Sequence, residues 1–318
     1  MISLIMKNKK LLVAIGLVTV FAACSLGDKG KVRHVRTPET VKLLANLKKV
    51  SALGFMFGHH DDTNYGIGWD GEEGRSDVKS VCGDYPAVIS FDLGHIELGD
   101  TVSLDNVPFS KIRREILNQY KRGGMSSLSW HLRNPLTGGD SWDVSDTTVV
   151  KSVLPGGSNH EKFTGWVSKV SAFINSLQTE DGVKVPVLFR PWHEHTGSWF
   201  WWGEKLCTPE EYKALWHMTV DILREDGVNN ALYAYSPGSE PQDTVQYLKR
   251  YPGDDLVDVI GFDTYQFDRD SYIANLEKSL TIIDSIGKAH NKVIAITETG
   301  YEGIPDSKWW TGTLLPAI

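Results

Sequence analysis

Val185-Pro-Val-Leu-Phe-Arg-Pro-Trp-His-Glu194-His195 is the stretch that decides the fold. It is apolar and β-branched at first, and then polar residues begin abruptly. Val293-Ile-Ala-Ile-Thr-Glu298-Thr-Gly300 has the same form. Each reads as a strand that delivers a glutamate at its end. Outward from these two, similar runs recur along the chain. The pattern predicts strands over Phe55–His59, Ala87–Asp92, Met125–His131, Val185–Pro191, Ala231–Ser236, Val257–Asp263 and Val293–Thr297.

The gaps between them carry helical spacing. Ser110–Arg122 places Ile112, Ile116, Leu117 and Tyr120 on one face, and Phe163–Leu177, Pro209–Glu225 and Ser271–His290 behave alike. Thr37-Pro-Glu opens an earlier helix reaching about Ser51, while Thr208-Pro-Glu-Glu and Asp270-Ser-Tyr supply caps further on. Strand, helix, strand in repetition means an α/β chain with a parallel sheet. Polar residues after the strands favour a (β/α)8 TIM barrel, whose functional face lies at the strands' C-terminal ends. A doubly wound nucleotide-binding sheet is disfavoured, because no GxGxxG follows the first strand. The eighth strand is missing from this pattern, since the sequence stops at Leu314-Leu-Pro-Ala-Ile318. The expectation is therefore a barrel truncated before its eighth strand, with unpaired edges on the first and seventh.

Composition is that of an ordinary globular chain: 318 residues, 41% hydrophobic, 23% charged. The net charge of -7 argues against nucleic acid as a partner. Residues 1–24 read as an export signal rather than structure. Lys7, Lys9 and Lys10 precede an apolar stretch, Leu11–Ala23, too short for a comfortable membrane span, and Met6 reads as the start. The ending Phe21-Ala-Ala-Cys24-Ser25 resembles a lipobox, with Phe21 in place of the usual Leu; an ordinary signal cleaved near Ala23 is the alternative. Export to the periplasm or to the outer membrane follows, with a lipid anchor on Cys24 if it is lipidated. Residues 25–36 read as a tether and 37–318 as one catalytic barrel. Cys82 and Cys207 are expected to be unpaired, mostly buried thiols.

The polar residues after the strands are His59, His60, Asp61 and Asp62; Asp92, His95 and Glu97; His131 and Arg133; His193, Glu194 and His195; Asp263 and Tyr265; and Glu298. Two carboxyl groups brought to one face from two strands is the arrangement that cleaves a glycosidic bond. Trp192, Trp199, Trp201 and Trp202 crowd the loop around Glu194, and flat rings are platforms for sugar faces, although Trp is also core bulk. Each candidate has a plainer reading. A glutamate after a strand suits a structural ion pair, here with Arg190 or a helix N-terminus. His193 suits a satisfied core histidine, or support for the neighbouring glutamate. Tyr265 suits packing, or a phenol orienting a carboxylate. The His59–Asp62 cluster matches no short metal motif, so these groups are expected to bond sugar hydroxyls or one another, with no metal and no cofactor.

With these residues in place, the chain resembles a glycoside hydrolase family 26 β-mannanase. The resemblance is carried by Phe189-Arg-Pro-Trp-His-Glu194-His-Thr-Gly-Ser-Trp-Phe-Trp-Trp-Gly203 and by Ile296-Thr-Glu298-Thr-Gly300. Ser129-Trp-His-Leu-Arg-Asn-Pro-Leu-Thr-Gly138, Leu154-Pro-Gly-Gly157 and Tyr233-Ala-Tyr-Ser-Pro237 add to it. It covers about Val41 to the C-terminus. It implies a monomeric retaining enzyme acting on β-1,4-mannosidic bonds of mannan, glucomannan or galactomannan, or on manno-oligosaccharides. Glu194 would be the acid/base and Glu298 the nucleophile. His193 would sit beside the nucleophile, Trp199 would floor the −1 sugar, Tyr265 would bond the nucleophile, His131 would line the −1 position, and Trp142 would be a −1 or −2 aromatic.

Three activities stand as alternatives: endo action, exo action releasing mannobiose, and a glycan-binding lipoprotein whose barrel has lost catalysis. A loop in the interval Asp92–Gly124 is one way to wall off a distal subsite. Specificity for β-1,3-xylan or mixed-linkage glucan lies further out.

Overall fold

The computed structural model describes residues 34–318. The signal segment with Met6 and Cys24, and residues 25–33 of the 25–36 tether, lie outside them. One compact unit spans Val35–Ile318. Its sheet has seven parallel strands in chain order: β1 (Gly58–His60), β2 (Val88–Asp92), β3 (Met125–Ser129), β4 (Val187–Arg190), β5 (Ala231–Tyr235), β6 (Val259–Tyr265) and β7 (Val293–Gly300). The main helices are α1 (Pro38–Val50), α2 (Phe109–Lys121), α3 (His160–Asn175), α4 (Pro209–Glu225) and α5 (Arg269–His290). This is the (β/α) barrel arrangement expected, and among the described residues no eighth strand joins β7 to β1. Phe57, just before β1, meets Trp310, beyond β7, edge to face at 5.4 Å.

Strand parity builds the barrel's interior in layers. At the bottom, Met125, Leu188, Leu232, Val259 and Val293 meet in one cluster, plugged by Leu47 of α1, with Val88 packed against it. Two and four residues further along the same strands stand Asp92, Ser129, Arg190, Ser236 and Asp263. The alternate residues, such as Phe91, Leu128, Phe189, Tyr233 and Phe262, face outward into the larger core beneath the helices. Period two puts both sets on the interior face, and the change from apolar to polar along each strand sets which layer lies below and which above.

Several boundaries move. β1 begins at Gly58, where pairing with Val88 begins, and Phe55 is exposed. β7 runs on to Gly300, because a bulge keeps it paired to β6 as far as Tyr265. The α5 cap is Asp268, whose carboxylate accepts from the Ser271 amide, rather than Asp270. The Thr208 cap forms a full capping box with Glu211. Arg36, at the end of the expected tether, pairs through both its terminal nitrogens with Asp258 at 2.7 Å. Cys207 is buried as expected, but Cys82, expected to be buried, is exposed at the end of a short surface helix.

Candidate active site

Glu194 and Glu298 reach the cleft through two irregularities of the backbone. On β7, Val293, Ala295 and Thr297 share the interior face by parity, which would turn Glu298 outward. The pairing instead jumps: Phe262 faces Ile296 and Asp263 faces Glu298, leaving Thr297 as an extra residue. A bulge of this kind re-aims the side chains beyond it. Both Thr297 and Glu298 bond groups inside the barrel. Beyond β4, Trp192 and Glu194 take positive φ angles of 56° and 53°. Such angles are uncommon for residues with side chains and cluster at functional sites. The Glu194 amide is tied at 2.8 Å to the Ser236 carbonyl.

One oxygen each of Glu194, Asp263 and Glu298 lie within 4.8 Å of one another. Arg190 is the buried cation among them. It donates to Asp263 Oδ2 at 2.9 Å, to Ser236 Oγ at 3.1 Å and to Glu298 Oε1. Tyr265 donates its phenol proton to Glu298 Oε2 at 2.8 Å. Trp199 donates from Nε1 to Glu194 Oε2 at 2.7 Å.

These neighbours drive the two glutamates apart. Burial, and then the negative charge of Glu298, raise Glu194 to about 7. Burial would raise Glu298 too, but the Arg190 guanidinium and the Tyr265 hydrogen bond override it and hold the carboxyl at about 2. Near neutral pH one carboxyl therefore keeps its proton while its neighbour stays ionised, as acid and nucleophile require. Burial pushes Asp263 up despite Arg190.

On the other side of the cleft, Asp92 accepts from the Ser129 hydroxyl, the Gly94 amide, and the His131 amide and Nδ1. Burial works against the His131 charge, but Asp92 overcomes it and raises the imidazole. His131 Nε2 lies 3.0 Å from His193 Nε2. His193 is fully buried, and desolvation holds it well below its usual value. Its hydrogen-bond partner is His131, and it also lies close enough to Glu298 for the two charges to act on each other. Trp142, half exposed, stacks on His131 at 5.4 Å and 12°.

The structure brings together Glu194, Glu298, His131, Trp142, His193, Trp199 and Tyr265 and leaves other candidates aside. Of the four tryptophans around Glu194, only Trp199 is an open platform, at 40% exposure; Trp192, Trp201 and Trp202 are core. His195 is sealed between the rings of Tyr212 and Tyr235. Glu97 is buried beneath the loop after β3, where it accepts from Trp130 Nε1 and the Arg133 amide. His59 pairs with Asp62 at 2.8 Å, while His60 and Asp61 share a 4.8 Å neighbourhood with Asp105. Arg190 was legible as an ion-pair partner for a strand-end glutamate, and in the structure that glutamate is Glu298. The place of Arg190 two residues beyond Leu188 is the parity signal that puts it inside.

The family model described as Glycosyl hydrolase family 26 matches residues 32–309. A mannan endo-1,4-beta-mannosidase from Bifidobacterium adolescentis is 35% identical over 294 residues, 88% of this chain. One from Bacillus subtilis is 27% identical over 70% of it. The chain spans only 29% and 60% of the lengths of these two relatives. A GH26 beta-mannanase from Bacteroides ovatus superposes with a TM-score of 0.88 at 64% identity, covering 89% of this chain and 82% of that one.

Proposed function

This chain belongs to glycosyl hydrolase family 26, and on that premise we propose that it hydrolyses internal β-1,4-mannosidic bonds of mannans with retention of configuration. The observation that carries this reading is the oxygen separation of Glu194 and Glu298, within 4.8 Å, combined with their opposed acidities. Retaining enzymes hold their two carboxyls about 5–5.5 Å apart, whereas inverting ones need about 6.5–9.5 Å to admit a water.

In the first step Glu298, ionised and oriented by Arg190 and Tyr265, attacks the anomeric carbon. Glu194 gives its proton to the departing glycosidic oxygen. The product is a mannosyl ester of Glu298. Esterification removes the charge that helped to raise Glu194, so the ionised form that the first step leaves behind is stable beside the ester. The Trp199 hydrogen bond also favours its ionised form. In the second step Glu194 takes a proton from water, which attacks the anomeric carbon as the bond from that carbon to Glu298 breaks, so the carboxylate is freed. His131, Trp142 and Trp199 present an imidazole and two open indoles to the sugar, with His193 behind His131.

The test is a product time course from mannohexaose and galactomannan, with the first product's anomer read by proton NMR. β-Mannose configuration and a mixture of early oligosaccharides support the reading. An α-anomer sinks retention, and mannobiose alone from the start means exo action. Export as a lipoprotein anchored at Cys24 belongs to the same proposal; loss of radiolabelled palmitate in Cys24→Ala is its check.

A further inference from the structure

Thr297 has no part in the chemistry above, yet three features converge on it. It is the residue of β7 left over at the bulge, between Ile296, which faces Phe262, and Glu298, which faces Asp263. Its hydroxyl donates to Asp263 Oδ1 at 2.6 Å. Its side chain also occupies the space a side chain at Gly261 would take. A Cβ there would come within 2.6 Å of Thr297 Cγ2 and 2.8 Å of its Oγ1. Glycine at 261 is thus the seat of this threonine, on the same interior face of β6 as Asp263.

Asp263 is the link onward. With Oδ1 fixed by Thr297, its Oδ2 receives Arg190 at 2.9 Å, and the second terminal nitrogen of Arg190 donates to Glu298 Oε1. We propose that Thr297 is a positioning residue for the nucleophile: held over Gly261 by the bulge, it fixes Asp263, which fixes the Arg190 fork, which aims Glu298. The proposal rests on Glu298 being the nucleophile. A merely structural Thr297 would fill space and pin the bulge, and its hydroxyl would be dispensable to rate. The same bulge that turns Glu298 into the barrel supplies the residue that steadies it, so the two effects come from one extra residue.

The experiment uses the full chain with Thr297→Val, which keeps the shape and loses the donor, and Thr297→Ser, which keeps the donor. Two rates are measured. One is turnover of an aryl β-mannobioside with a good leaving group, which needs little help from Glu194. The other is covalent labelling by a 2-deoxy-2-fluoromannosyl fluoride, located by peptide mass spectrometry. Loss of one buried hydrogen bond in the chain of support should slow kcat and labelling about tenfold in Thr297→Val. KM should be unchanged, and Thr297→Ser should lie within about twofold of the parent, as a retained donor implies. Should Thr297→Val fail to fold, Thr297→Ala, which removes the donor without burying a new methyl, carries the same expectation. Parental kcat in the donor-free variant, a loss confined to KM, or a serine variant as slow as valine would overturn the proposal. Labelling of the parent at a residue other than Glu298 would overturn the nucleophile assignment, and this inference with it. Failure confined to the Thr297 variants leaves that assignment standing.

Discussion

Replacing Arg190 with Gln should move the acid limb of activity upward, because this guanidinium is what keeps Glu298 ionised. Arg190 is only 6% exposed at its side chain and bonds Glu298 Oε1 directly. With it, Glu298 stands at about 2, although burial alone pushes the group above its ordinary 4.5. Without it, burial acts against a weaker set of partners, and the carboxyl should rise above about 5. A group whose pKa exceeds about 5 is at most about one-tenth ionised at pH 4, while the parent is almost wholly ionised there. The variant should therefore lose at least about tenfold in kcat/KM at pH 4 relative to its own plateau. The assay is a pH profile on an aryl β-mannobioside with a good leaving group, so that the Glu194 limb does not intrude. Gln keeps a donor near Asp263, which limits the cost of leaving that buried carboxylate unpaired. Circular dichroism at each pH separates a titration from unfolding. An acid limb unmoved from the parent's, in a variant that remains folded, would refute the assignment of Arg190 as the group that holds the nucleophile's charge.

Glu194→Ala should still form the glycosyl-enzyme from an activated substrate and then stall; added azide should rescue it as the β-azide, whereas an α-azide would show the two glutamates to have exchanged roles. On unactivated mannan the alkaline limb of kcat/KM should fall near pH 7, where Glu194 loses the proton it must donate; a limb beyond pH 9 would contradict this. Trp199→Phe removes a donor that favours the ionised Glu194, so the alkaline limb should shift upward, accompanied by a rise in KM from the lost indole; a downward shift would show that the bond supports the protonated form.

Much of this site was visible in the chain itself. The strands are short, apolar and β-branched, so their positions and the glutamates at their ends can be read directly. The interior layer is also legible once parity is applied: Leu188 to Arg190 and Gly261 to Asp263 are steps of two along one face. What the sequence does not announce is where parity breaks. Thr297 is an ordinary strand residue by composition, and only its pairing with β6 shows it to be the extra one. Trp192 and Glu194 carry side chains that disfavour positive φ, so no glycine marks the turn that aims the acid. The His131–His193 contact joins ends of two different strands, and nothing local to either residue signals it. The tryptophans mislead for a related reason: four rings in eleven residues suggest a platform, but three are needed to fill the space beneath a strained loop.

The arrangement of charge at the base of the cleft explains why the proton resides where it does. Three carboxyls lie together, and among the described residues Arg190 bonds Asp263 and Glu298, while its charge acts on Glu194 without a bond. Full ionisation would leave an excess of negative charge in a poorly solvated space, which such a site resists. Glu194 feels the guanidinium without bonding it and is raised by burial and by Glu298, so it is a favoured place for a proton; Asp263, buried deeper, is a second, and burial raises it as well. Glu298 has Arg190 on one oxygen and Tyr265 on the other and is the last of the three to be neutralised. Forming the mannosyl ester then removes one negative charge from the group without adding a cation. The reason for Glu194 to hold its proton weakens at that moment, as the second half of the reaction needs a base. A single guanidinium, placed by strand parity beside two of three carboxyls, thus sets both the resting proton and its release.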